Sequence, residues 1–99
     1  MSFFRCNSGG GGSATVEKIY VSGSSWDKTI NVDKKMTLIF TCSVYFSSSG
    51  DASIYKNGTR VKYVTSSGTD IAETYEANVG DVFRTTGNSR GHMFVYAVY

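Results

Sequence analysis

The stretch ASIYKNGTRVKYV, residues 52–64, constrains the fold of this chain more than any other. Asn57-Gly58 stands between two runs of alternating apolar and polar residues. Both central positions of a two-residue type I′ turn need positive φ, and Asn followed by Gly meets that need at least cost. The pair therefore predicts an antiparallel hairpin with Lys56 opposite Thr59, Tyr55 opposite Arg60 and Ile54 opposite Val61. In that register Ala52, Ile54, Val61 and Tyr63 share the inward face. Tyr55 and Arg60 lie together outside, with the guanidinium on the ring.

A hairpin alone is marginal in water and needs further strands to bury its apolar face. The strongest of these is KKMTLIFTCSVYF, where Met36, Leu38, Phe40, Cys42, Val44 and Phe46 recur at period two. This is the pattern of a half-buried central strand, with Ile39 and Tyr45 on its other side. Further strands are expected over Thr15–Val21, Thr29–Val32, 69–79, Val82–Thr85 and 92–99. In the 69–79 strand, Ile71, Tyr75, Ala77 and Val79 share one face with Glu73 intruding. SGSSWD and TGNSRG read as loops, with Trp26 at the end of the first. Val79-Gly80-Asp81 reads as a turn. Seven or eight short strands separated by Gly, Ser and Asn, with no helical stretch, predict an all-β antiparallel β-sandwich or small jelly roll.

At 99 residues the chain has room for one such domain, which the reading places at residues 15–99. Residues 1–14, MSFFRCNSGGGGSA, read as a flexible arm. Gly9–Gly12 offer no side chain to pack and lose the most entropy on ordering. GGGGS is also the composition of an engineered linker. If natural, the tip reads as a docking arm, with Phe3 and Phe4 entering a pocket on a partner or a neighbouring subunit and Arg5 at its rim.

Composition narrows the function classes. The net charge is only +2 and no cluster of Lys or Arg exceeds two in a row, which argues against nucleic acid as a partner. No apolar run reaches the length of a membrane span or a secretory leader, so the expectation is a soluble protein made in the cytosol. No catalytic, metal or cofactor motif is present: two Cys and one His have no zinc spacing. His92 has no carboxylate nearby in sequence to orient it as a base. Cys42 falls on the apolar face, where a thiol is inert, and Cys6 is on the arm. Glu73 and Glu76 are three apart on a strand, so their side chains diverge rather than flank one bond. What remains is surface. With seven Tyr, six Phe and one Trp, the aromatics exceed what a thin core can hold. Trp26, Tyr55, Arg60, Tyr96 and Tyr99 are the candidate ligand or interface residues, with Trp26 as either a sugar-stacking ring or a plug over one end of the sandwich.

Two stretches carry a resemblance. SIYKNGTRV followed by YEANVGDVFRTTG resembles the small jelly-roll modules of phage tail-fibre tips and of C1q/tumour-necrosis-factor-like trimeric heads. FRCNSGGGG resembles the arm and glycine run that begin many small tail-associated proteins of phages and prophages of Gram-positive gut bacteria. The resemblance implies a non-enzymatic virion structural protein, made in a bacterial host cytoplasm. It would act as a homo-oligomer, a trimer by analogy, on other tail proteins and on a cell-surface glycan. It carries over Asn57, Gly58, Gly80 and Asp81 only as turn residues. The other reading of the same residues is a free carbohydrate-binding or adhesin-like module.

Overall fold

The computed structural model describes residues 14–43, 50–65 and 70–99. The expectations for Phe3, Phe4, Arg5 and Cys6, and for Val44, Tyr45 and Phe46, lie outside these residues. Eight strands are present: β1 (Val16–Val21), β2 (Ser25–Asn31), β3 (Met36–Cys42), β4 (Asp51–Lys56), β5 (Thr59–Thr65), β6 (Ile71–Ala77), β7 (Val82–Asn88) and β8 (Phe94–Val98). They form two four-stranded antiparallel sheets, sheet A in the order β1-β8-β3-β6 and sheet B in the order β2-β7-β4-β5.

The pairs β4–β5, β3–β6, β2–β7 and β1–β8 nest outward from the Asn57-Gly58 turn, and the β3–β8 and β4–β7 ladders complete the sheets. The chain is one long hairpin wound about its own core, a jelly roll. The turn at its centre has the expected backbone, with φ of 50° at Asn57 and 85° at Gly58. At the outermost pair, the backbones of Thr15 and Tyr99 exchange two hydrogen bonds, of 2.6 and 2.9 Å.

β3 follows its alternation, with Leu38, Phe40 and Cys42 buried between the sheets. Phe40 meets Tyr75 edge-on at 5.8 Å between ring centroids and Phe83 at 6.1 Å, so an aromatic cluster joins β3, β6 and β7. Full burial of a Phe contributes about 1.5–3 kcal/mol, and Phe40 and Phe83 are both fully buried.

The hairpin register departs from the expected one after two pairs. Lys56 opposes Thr59 and Tyr55 opposes Arg60, but Ile54 opposes Lys62 because Val61 is an extra, bulged residue on β5. Because side chains alternate, one inserted residue inverts every later one. Val61 and Tyr63 are thus exposed rather than inward, while Val64 is buried. Lys62 turns toward the space between the sheets and meets Glu73 of β6 at 3.3 Å. Tyr55 and Arg60 remain opposite each other but take other ring and guanidinium partners: Arg60 lies 4.3 Å from the Tyr63 ring centroid, and Tyr55 is met by Arg84 at 5.8 Å.

Three strand limits also differ. β2 begins at Ser25 and β7 runs on to Asn88, so SGSSWD and TGNSRG are partly ladder rather than loop. Val79 lies in the turn after β6 and is 70% exposed, not on the buried face. Trp26 stands in β2, paired with Gly87, which pairs in turn with Ala52. An ideal Cβ on Gly87 would sit 2.3 Å from Trp26 Cζ2, so the glycine that reads as a turn signal is the space the indole occupies.

Candidate functional site

Strand pairing across sheet A lays its outer face out in three rungs. The first is Val16, Val98, Thr37 and Glu76; the second Lys18, Tyr96, Ile39 and Thr74; the third Val21, Phe94, Thr41 and Ala72. The inward partners in these strands, Leu38, Phe40, Val95 and Ala97, are buried in the core. The outer face of an antiparallel sheet on water is ordinarily polar. The rungs carry apolar or aromatic side chains at their centre and two charges, Lys18 on the β1 edge and Glu76 on the β6 edge, the latter with Lys35 beside it. Ile39 is only 5% exposed although it points away from the core, whereas Val16 and Val21 are each 47% exposed. Lys18 Nζ leans over the face, 5.8 Å from the Phe94 ring centroid.

The outer face of sheet B is built differently. Arg84 donates two hydrogen bonds to Asp27, from Nε at 2.9 Å and from an Nη at 2.8 Å. This pair holds the Asp27 carboxyl below its ordinary range, and the hydrogen bonds from Arg84 are the main cause. It spans the edge strand β2 and its neighbour β7, with Arg84 also over the Tyr55 ring of β4.

Beyond the third rung of sheet A lies a groove of about 550 Å³, bordered by Thr41, Phe94, Asp70, Arg90 and His92. His92 Nδ1 is 2.7 Å from the Ser22 carbonyl oxygen. A carbonyl only accepts, so Nδ1 carries a proton and donates it to Ser22. Ser22 is itself held, its Oγ accepting the Met93 N–H at 2.8 Å. The groove thus brings together a carboxyl group, a guanidinium, an imidazole and an aromatic ring. Cys42 also borders it, but its Sγ donates to the Gly91 carbonyl at 3.3 Å. Burial pushes that thiol up to about 11, outweighing the hydrogen bond from Ser89, so it is protonated at neutral pH and a poor nucleophile.

The other sequence candidates are dispersed. Trp26 is 7% exposed; its Nε1 donates to Thr85 Oγ1 at 3.1 Å, and that hydroxyl donates to the Ser53 carbonyl at 2.9 Å. The indole therefore packs inside the sandwich and presents no open ring to a sugar. Tyr99 bonds through its hydroxyl to Glu17, and its ring lies 3.7 Å from Lys34 Nζ. Of the five candidate residues, only Tyr96 stands at the centre of an apolar surface. Glu73 and Glu76 diverge as expected, the first toward Lys62 and the second toward Lys35 at 3.9 Å. Among the described residues, no three His, Cys, Asp or Glu side chains group as a metal would require.

The turn residues form one network across two turns. Asn57 Oδ1 accepts the Val82 N–H at 2.8 Å, and Asn57 Nδ2 donates to Asp81 Oδ1 at 3.1 Å. Asp81 Oδ2 accepts the Asn78 N–H at 2.9 Å, the main cause that holds its carboxyl below the ordinary range. Gly80 sits between them at φ 93°.

Sequence reasoning missed the apolar outer face of sheet A and the Asp27–Arg84 pair. A signal for the first existed: FVYAV in β8 is apolar at both parities, which marks a strand covered on two sides. The second had none, because Asp27 and Arg84 are 57 residues apart.

No protein-family model matches the chain, and no curated protein matches it. Among solved structures, the chain is similar to part of a ruminal GH26 endo-β-1,4-mannanase, at 15% identity and a TM-score of 0.41. The match spans 98% of this chain and 22% of that one. A likeness at this level carries no argument about function.

Proposed function

We propose that this chain is a non-enzymatic structural module of a phage or prophage virion, a jelly-roll head at a tail or fibre tip that works as a homo-oligomer. The observation that supports the reading is the outer face of sheet A, where the half-buried Phe94, Tyr96 and Val98 surround the buried Ile39 and the exposed Val16 and Val21 extend the apolar surface along the β1 edge. Small domains that expose such a face use it for contact. The resemblance of the Asn57-Gly58 and Gly80-Asp81 segments to tail-tip modules supplies the setting. Two measurements test the reading. Light scattering after gel filtration is expected to give a mass above the 10.8 kDa of one chain. Mass spectrometry of particles induced from the encoding bacterium is expected to find the chain in the virion. A monomer at high concentration, or particles without the chain, overturns it.

The groove beside Phe94 favours a second reading, a glycan-binding module, because a ring flanked by Asp70, Arg90 and His92 can stack a sugar and bond its hydroxyls. A glycan array in which Phe94→Ala abolishes a signal would select it.

A further inference from the structure

We infer that sheet A is the contact between two copies, packed face to face about a two-fold axis that runs along the strands. This rests on the homo-oligomeric reading above and specifies its partner surface and symmetry.

The charge layout selects this geometry. Across the sheet the strand order is β1-β8-β3-β6. An axis along the strands reverses that order and keeps each rung opposite itself. β8 of one copy then covers β3 of the other, so each Tyr96 lies on the second copy's Ile39. β1 covers β6, so each Lys18 lies on the second copy's Thr74. Glu76 is two residues farther along β6, about 7 Å, within reach of a lysine side chain. The two edge charges, one of each sign, thus become two symmetric cross-copy pairs. The other face-to-face axis, across the strands, sets β1 on β1 and Lys18 on Lys18, which is repulsive. Existing contacts on these groups are long and solvent-exposed: Glu76 meets Lys35 at 3.9 Å and accepts from Thr37 Oγ1 at 3.4 Å, and Lys18 Nζ stands 5.8 Å from the Phe94 ring centroid. Sheet B is the poorer partner, because covering it would desolvate the Asp27–Arg84 pair.

A contact that is the same patch on both sides closes with two copies. The assembly is therefore a dimer, not the trimer implied by resemblance. The three rungs span roughly 20 Å by 17 Å, well below the ~800 Å² a side of a standard interface. The dimer is accordingly concentration-dependent.

Sedimentation velocity over a concentration series of the full chain, with circular dichroism as a folding control, tests the inference. The wild type is expected to run between one and two copies. Tyr96→Glu is expected to run as a folded monomer. Lys18→Glu alone and Glu76→Lys alone are each expected to weaken dimerisation about tenfold, since each change acts twice in a symmetric pair. The double variant Lys18→Glu/Glu76→Lys is expected to return to within about threefold of wild type. Both edge positions are exposed, so these variants stay folded even where Tyr96→Glu does not. A monomeric wild type refutes the homo-oligomeric reading itself. An oligomer insensitive to Tyr96→Glu, a mass of three copies, or a double variant no better than either single leaves that reading standing and overturns this geometry.

Discussion

Gly87→Ala is a small change with a large expected effect. An added Cβ would stand 2.3 and 2.7 Å from two atoms of the Trp26 ring and 2.7 Å from the Asp51 carbonyl oxygen. Contacts under 3 Å require movement, and the carbonyl is backbone in the β4–β7 ladder, so the indole has to shift. Overpacking of this kind costs about 1–3 kcal/mol. Displacing the ring also breaks the bond from Trp26 Nε1 to Thr85, worth about 1 kcal/mol. The sum, about 2–4 kcal/mol, is a large share of the 5–15 kcal/mol that holds a domain together. It corresponds to a fall in melting temperature of roughly 10–30 °C for a chain of this size. Trp26 is the only Trp, so its fluorescence reports on this site alone. Urea and thermal unfolding followed at that fluorophore are expected to show the loss, with emission shifted to the red in the folded variant. In a Trp26→Phe background, the shorter ring removes part of the clash, so Gly87→Ala is expected to cost less there; the Asp51 carbonyl accounts for what remains. A Gly87→Ala protein with unchanged emission and a melting temperature within about 3 °C of wild type, less than 1 kcal/mol, refutes the argument.

Three other outcomes follow from the same structure. The Tyr75 hydroxyl is buried with no hydrogen-bond partner among the described residues, so Tyr75→Phe is expected to raise stability by about 1 kcal/mol in urea unfolding; a loss would mean the hydroxyl is satisfied. Asn57→Ala gives up two side-chain hydrogen bonds and places a Cβ residue with no local bonding at φ 50°, for an expected loss of about 2–3 kcal/mol. Asn57→Gly keeps the turn's backbone freedom and is expected to lose only about half as much; equal losses would remove the conformational part of the account. Asp27 and Asp81 both have carboxyls held below the ordinary value of 3.8, by Arg84 and by the Asn78 N–H respectively. A lowered native pKa contributes stability that is present above the unfolded value and lost as pH falls through the folded one. Acid unfolding is therefore expected to steepen below 3.8, with Asp81→Asn flattening the slope; an unchanged slope would show that Asp81 is not linked to folding.

How much was legible in the sequence depended on how far each interaction reaches along the chain. The Asn57-Gly58 turn, its first two cross-strand pairs and the inward face of β3 are local, and nearest-neighbour sterics and period-two burial decide them. The all-β class followed from the same evidence repeated along the chain. Beyond that reach, pairings between distant strands took over. Val61 looks like a core residue until a single bulge turns it out and turns Lys62 toward Glu73. Gly87 looks like a turn until Trp26, 61 positions earlier, is laid against it by the β2–β7 ladder. The candidate surface shows the same division. Alternation marked Ile39 as outward-facing, but only the order of four strands drawn from both ends of the chain placed it beside Tyr96, with Lys18 on one edge and Glu76 on the other. Local sequence determines backbone preference and which side of a strand is apolar. Which strands become neighbours is decided by closure of the core, and the identity of a surface depends on that closure.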